Sequence, residues 1–164
     1  MSSYERSLDT LSATPSILRA IVEATPAAAL ERRPAAEEWS VREILGHMLH
    51  VETAIIGPRI RRMLEEDEPL LTPAGPAPAA AAPGETLDTW LEARSSNLEF
   101  LRGLSPSQRQ RAGRHPRYGH ISAEEHAVEW AYHDLDHLRQ IFAVLQAEIY
   151  PDIGVFTNLY PKPY

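Results

Sequence analysis

The sequence predicts an all-α fold, a four-helix bundle with one long crossover between its second and third helices, and three observations carry that expectation. Apolar residues recur three and four apart through four long stretches of chain, the period of a helix that buries one face. Two of those stretches open on a capping box, Ser40 with Glu43 and Ser122 with Glu125, in which hydroxyl and carboxylate satisfy backbone N–H groups that a helix start leaves free. No internal repeat and no alternating strand-like run stands out.

The first helix is expected over residues 4–25, with Leu8, Leu11, Ile17, Leu18, Ile21 and Val22 at helical spacing. Pro15, which has no N–H to donate, should kink it or start a new helix. Residues 25–38 read as a turn or a short 3₁₀ element leading into Trp39. The second helix is expected over residues 40–65, with Trp39 and Ile44 placed for a hydrophobic staple. Residues 66–85 hold Pro69, Pro73, Pro76, Pro78 and Pro83, five of the 14 prolines, and read as a loop. Extended chain advances ~3.1 Å per residue, so about twenty residues reach ~60 Å, whereas the second helix is only ~38 Å long. The loop can therefore cross the bundle and let the second and third helices run parallel.

The third helix is expected over residues 86–103, with Leu87, Trp90, Leu91, Leu98 and Leu101 apolar and Gly103 as its stop. Ser105-Pro106 opens a short helical turn, residues 114–120 are loop, and the fourth helix runs from Ser122 to about residue 147. The tail, residues 150–164, carries Pro151, Pro161 and Pro163 and should pack irregularly on the bundle. One domain over residues 1–164 accommodates all of this.

Composition narrows the function. With no cysteine, the chain has no disulfide, no thiolate nucleophile and no cysteine-based metal site, which leaves histidine and carboxylates as ligands. A net charge of −7 argues against nucleic acid, whose phosphates need concentrated Lys and Arg. The one basic run, Arg59-Ile60-Arg61-Arg62, reads as a solvated helix face. No run approaches the ~18 apolar residues of a membrane span. The first residues, Met1 to Arg6, lack the basic and apolar regions of a secretory signal, so the expected compartment is the cytoplasm.

The densest chemistry is His133 and His137, four apart on the fourth helix, where the spacing stacks both imidazoles on one face within reach of a single ion. A helical wheel puts Ala127, Val128, Ala131, Leu135, Leu138, Phe142 and Leu145 on the expected core face. His126, Trp130, His133 and His137 form a separate stripe. Such a stripe is either a ligand set or merely the edge of a partly exposed groove. Zinc-like ions want a third protein ligand. On the second helix His47 borders the core while His50 faces away, so His47 is the candidate, the other reading being a packed, hydrogen-bonded histidine. Glu52 falls within an apolar stripe and must be paired, protonated or functional, with a salt bridge across the bundle the first reading. His115 and His120, in a loop, are poor ligand candidates.

The stretches Trp39-Ser40-Val41-Arg42-Glu43-Ile44-Leu45-Gly46-His47 and His133-Asp134-Leu135-Asp136-His137-Leu138-Arg139-Gln140-Ile141 carry a resemblance that covers most of the chain. The sequence resembles the DinB-like (DinB/YfiT) family of metal-dependent proteins. In that family a Trp-Ser helix start leads to one histidine, a Gly-containing loop follows (compare His115 to Gly119), and a late helix supplies HxxxH with a nearby Gln. The resemblance implies an up-down-down-up bundle and a divalent metal, zinc or nickel, held by His47, His133 and His137. It further implies, for several members, S-transferase or isomerase activity with a low-molecular-weight thiol, and a homodimer.

Three neutral imidazoles leave one position open on an ion that can lower the pKa of water or of a thiol. Asp134 and Glu52 are the candidates for orienting imidazoles or moving protons. The expected partner is a small-molecule substrate. The other reading is a non-catalytic bundle, in which an ion staples helices or a groove holds a small molecule or a protein.

Overall fold

The structure is a computed structural model describing all 164 residues. Helix α1 (Ser3–Ala24) is followed by the one-turn α2 (Ala27–Glu31). Helix α3 (Val41–His50) continues through a π-helical segment, Val51–Ile56, into α4 (Gly57–Glu65). Then come α5 (Pro83–Arg102), the short α6 (Pro106–Arg109), strands β1 (Ala112–His115) and β2 (Gly119–Ser122), and the long α7 (Ala123–Ile149). Two 3₁₀ turns, Tyr150–Asp152 and Gly154–Asn158, follow.

Side-chain pairings fix the helix directions. Tyr4 donates to the Leu101 carbonyl while Leu11 meets Arg94, so α1 and α5 are antiparallel. Arg42 bonds the carbonyl of Ala80, Glu52 meets Arg94, and Arg61 meets Asn97. The rising order on both sides makes the α3–α4 rod parallel to α5. One core group joins Tyr4 and Leu11 to Ala123–Ala131, and the other joins Leu18 to Leu138, Ile141 and Val144, so α1 and α7 are parallel. The order is up-down-down-up, and residues 66–82 cross the bundle between α4 and α5.

That crossover is fastened along its length. Leu71 donates to the Arg114 carbonyl and Arg114 to the Pro69 carbonyl, both at 2.9 Å, so the loop's start lies along β1. The Gly75 carbonyl sits 3.0 Å from His50 Nε2, and Arg42 donates to the carbonyls of Ala80 and Ala81. At Gly46 an added Cβ would stand 2.5 Å from Ala80 Cβ, so glycine is what lets the loop lie flat on α3.

Several expectations are corrected. Pro15 does not start a new helix, since α1 runs unbroken through it. Proline cannot bond the Leu11 carbonyl one turn back, and Arg94 Nη1 takes that carbonyl instead at 3.2 Å. The second helix is not uniformly α: Val51–Ile56 is wound wider, just ahead of Pro58, whose missing N–H breaks the regular ladder. Helix α5 starts three residues early because Pro83 occupies its first turn, where a missing N–H costs nothing.

Residues 112–122 are not loop. They form a hairpin in register Gly113↔Ile121, its return strand opening at Gly119 with φ +78°, which glycine adopts without strain. The tail does not bury its aromatics: Phe156 and Tyr160 are exposed, and only Tyr164 packs against the lower core.

The wheel for the fourth helix is also rotated. Leu135 is 52% and Phe142 48% exposed, whereas His126, Trp130, Asp134, His137, Ile141 and Val144 are buried. Weighting the wheel by leucine and phenylalanine misplaced the core. The histidine stripe belongs to the inward side because it faces the α3–α4 rod and a buried charge, which polar residues can satisfy.

Candidate metal centre

Ser40 Oγ accepts from the Glu43 N–H and Glu43 Oε2 accepts from the Ser40 N–H, so the capping box fixes the start of α3. Seven residues on, His47 comes round to face α7. The corresponding box at Ser122 and Glu125 starts α7 and sets the phase of its histidines. His133 and His137, one turn apart, meet His47 at one point. Nε2 of His133 lies 3.2 Å from Nε2 of His47 and 3.0 Å from Nε2 of His137. All three ligand atoms lie within 4.8 Å of one another. A tetrahedral ion with bonds of about 2.0–2.1 Å would set its nitrogens about 3.3–3.4 Å apart, close to the spacings that His133 already keeps from both partners.

The protonation pattern fits a cation as well. His137 donates from Nδ1 to the Gln140 side-chain carbonyl at 2.9 Å, which leaves Nε2 with a lone pair toward the other two rings. Burial, followed by the proximity of the other histidines, pulls the pKa of His47 down to about 4. Burial and the neighbouring His137 likewise bring His133 down to about 4. Burial lowers His137 too, opposed by Gln140. All three rings are neutral near pH 7, as ligands must be. The Trp39 ring, 5.2 Å from His47 and 6.5 Å from His137 between centroids, walls one side.

Beside the three rings lies a buried charge cluster. Arg94, 1% exposed, donates from Nε and Nη2 to Glu52 and from Nη1 and Nη2 to Asp134, and its guanidinium lies over the rings of Trp90 and Trp130. Asn97 adds a bond to Glu52 Oε1 at 2.9 Å. Burial opposes the Arg94 charge, but the two carboxylates outweigh it and raise its pKa. Burial raises the pKa of Glu52 despite Arg94. All four carboxylate oxygens of Glu52 and Asp134 are engaged by Arg94 or Asn97. The salt-bridge reading of Glu52 is the one the structure supports.

A cavity of about 660 Å³ opens onto His47 and His133, walled by the π-helical segment, Arg59, the hairpin and the first turns of α7. A second space of about 720 Å³ lies on the other side of His47, between Trp39 and the crossover. His115 and His120 line the first cavity but stand outside the histidine convergence. His126 is buried, with Nδ1 3.3 Å from Glu129 and Nε2 without a partner. His50 turns away to the crossover.

Sequence reasoning missed Arg94, Asn97 and Arg59. The first two share the stripe Leu87-Trp90-Arg94-Asn97-Leu101 at spacings of three and four, the same signal that exposed Glu52. Arg59, in a basic run that reads as a solvated helix face, is instead half-buried and lines the 660 Å³ cavity.

Three neutral imidazoles from two antiparallel helices, gathered at the mouth of a cavity, give a helical bundle a three-histidine group that could hold a metal ion. Comparison bears on which such bundle it is: residues 10–141 match the DinB superfamily, and the chain belongs to that family. Among solved structures it is similar to YfiT from Bacillus subtilis, with a TM-score of 0.79 and 20% identity over 88% of this chain and 87% of that one. That protein is described as "a probable metal-dependent hydrolase with an unusual four-helix bundle topology". It is also similar to TT2238, described as a four-helix bundle protein, with a TM-score of 0.66 and 21% identity over 85% of this chain and 98% of that one. No curated protein sequence matches it.

Proposed function

We propose that this protein is a metal-dependent enzyme in which His47, His133 and His137 hold one divalent ion, zinc or nickel, and a low-molecular-weight thiol supplies the nucleophile for an S-transfer or isomerisation. The observation that carries the reading is the convergence of three neutral Nε2 atoms at the edge of an open cavity. When bound, such an ion acts as a Lewis acid that makes a coordinated nucleophile available near neutral pH. The chain's own residues do the rest. His47 and the HxxxH pair set the donor geometry, Gln140 orients His137, and Trp39 shields one face of the rings. The chain has no cysteine, so a thiol must come from solution. A thiol-dependent reaction suits the cytoplasm, where thiols are kept reduced.

Water is the other nucleophile to test, because the similar YfiT structure is described as that of a hydrolase. A purely structural ion is disfavoured by the cavity, which a staple between helices does not need. The deciding experiment incubates metal-loaded protein with small thiols and a panel of electrophiles, and in parallel with ester and amide substrates. Metal-dependent thiol conjugation or thiol-dependent isomerisation supports the reading. Hydrolysis without thiol replaces it, and turnover in neither arm rejects the enzyme.

A further inference from the structure

Outside the three histidines, two buried or half-buried groups around the 660 Å³ cavity have hydrogen-bonding capacity to spare, Nε2 of His126 and the guanidinium of Arg59, and only the second is a fixed cation. Both carboxylates in its wall are engaged: Glu125 caps α7 through the Ser122 backbone and hydroxyl at 2.8 and 2.7 Å, and Glu129 sits 3.3 Å from His126 Nδ1. His115 Nδ1 accepts from two backbone N–H groups of its own turn. Arg59 differs. Its guanidinium makes a single hydrogen bond, from Nη2 to the Thr72 carbonyl at 3.0 Å, and no carboxylate lies within ion-pair distance of it. Its neighbours in sequence are satisfied, Arg61 by Asn97 and the Phe100 ring and Arg62 by Glu66. Half-buried and facing the same space as His47 and His133, Arg59 is desolvated more than it is compensated, and burial lowers its pKa against the weaker pull of Glu129.

A planar guanidinium with free donors recognises a carboxylate in two-pronged fashion. We propose that Arg59 is a specificity-determining residue that anchors the carboxylate of a small acidic substrate or acidic thiol whose other end reaches the three histidines. The inference rests on the proposed function only in placing the reacting end at that centre. Arg59 holds the far end and takes no part in bond making. The cavity then selects by length as well as charge, because one end is fixed at Arg59 and the other at His47 and His133.

The test loads the protein with Co(II) and titrates ω-mercapto acids of graded chain length, each beside the mercapto alcohol of equal length, following the charge-transfer absorption that a thiol gives on the ion. The acid should bind at least about tenfold tighter than the alcohol at one optimal length. In Arg59→Gln that preference should vanish with metal content unchanged, and Arg59→Lys, which keeps the charge without the fork, should retain part of it. Equal binding of acid and alcohol by the unsubstituted protein, or a preference that survives Arg59→Gln, overturns the proposal. If no thiol produces the absorption, the thiol reading fails separately. Arg59 is then judged by calorimetry of alkane dicarboxylates against their diamides, with metal-loaded and metal-free protein, where equal binding of both overturns it and an Arg59-dependent preference for the diacid upholds it.

Discussion

Arg94 is the residue on which the interior turns. It neutralises Glu52 and Asp134 on two different helices and also takes the Leu11 carbonyl that Pro15 leaves without an N–H. Replacing it by methionine would leave two buried carboxylates with no counter-charge, for which a loss of about 3–5 kcal/mol is expected. Urea unfolding reads this directly, and a loss under about 1 kcal/mol would show the cluster to be energetically idle. Gln140 matters at the same scale. Gln140→Leu removes the partner of His137 Nδ1 and should weaken metal binding about 10–100-fold, measured by competition with a chelator. The convergence of His47 with His133 and His137 was legible in the sequence because i,i+4 spacing and helix phase are geometric. The tie of Asp134 to Arg94 was not, since Arg94 lies on a different helix, 40 residues away, and no spacing rule links the two.

At the scale of elements, helix starts were legible wherever a side chain writes them, as at Ser40 and Ser122, and illegible where backbone chemistry decides. The hairpin at residues 112–122 has no alternating pattern to announce it, and it forms because Arg114 pairs with both Ile121's strand and the start of the crossover. Its Ser122 caps α7, and Ser122→Ala should cost about 1 kcal/mol. The crossover gives a sharper prediction. Gly46→Val would drive side-chain atoms into Ala80, whose backbone already lies 3.3 Å from an added Cβ. The loop should lift from α3, and limited proteolysis should then cut within residues 72–82 faster than in the unsubstituted protein. Unchanged cleavage would mean that the Arg42 bonds alone hold the strap.

For the whole molecule, the loop's reach allows parallel second and third helices, the family resemblance implies them, and the pairings of Glu52 and Arg61 with α5 bear this out. The homodimer remains a proposal, supported by Leu135, Phe142 and Ile149, which are exposed at seven-residue spacing along α7. Light scattering of Leu135→Glu/Phe142→Glu beside the parent tests it, with a monomeric parent as the contrary result. Stability should also depend on pH in a stated direction. His47 and His133 titrate near 4 in the fold against 6.5 when exposed, so below pH 6.5 the unfolded chain binds more protons. Metal-free protein is therefore fully stabilised by these groups above pH 6.5 and loses that contribution as pH falls from 6.5 toward 4. The central claim is the ion itself, and elemental analysis of the purified protein beside His47→Ala and His133→Ala addresses it most directly. About one divalent metal per chain is expected in the parent, with loss of it in both variants. A parent that binds no metal under loading, or variants that retain it fully, would mean that the three histidines do not form a metal site.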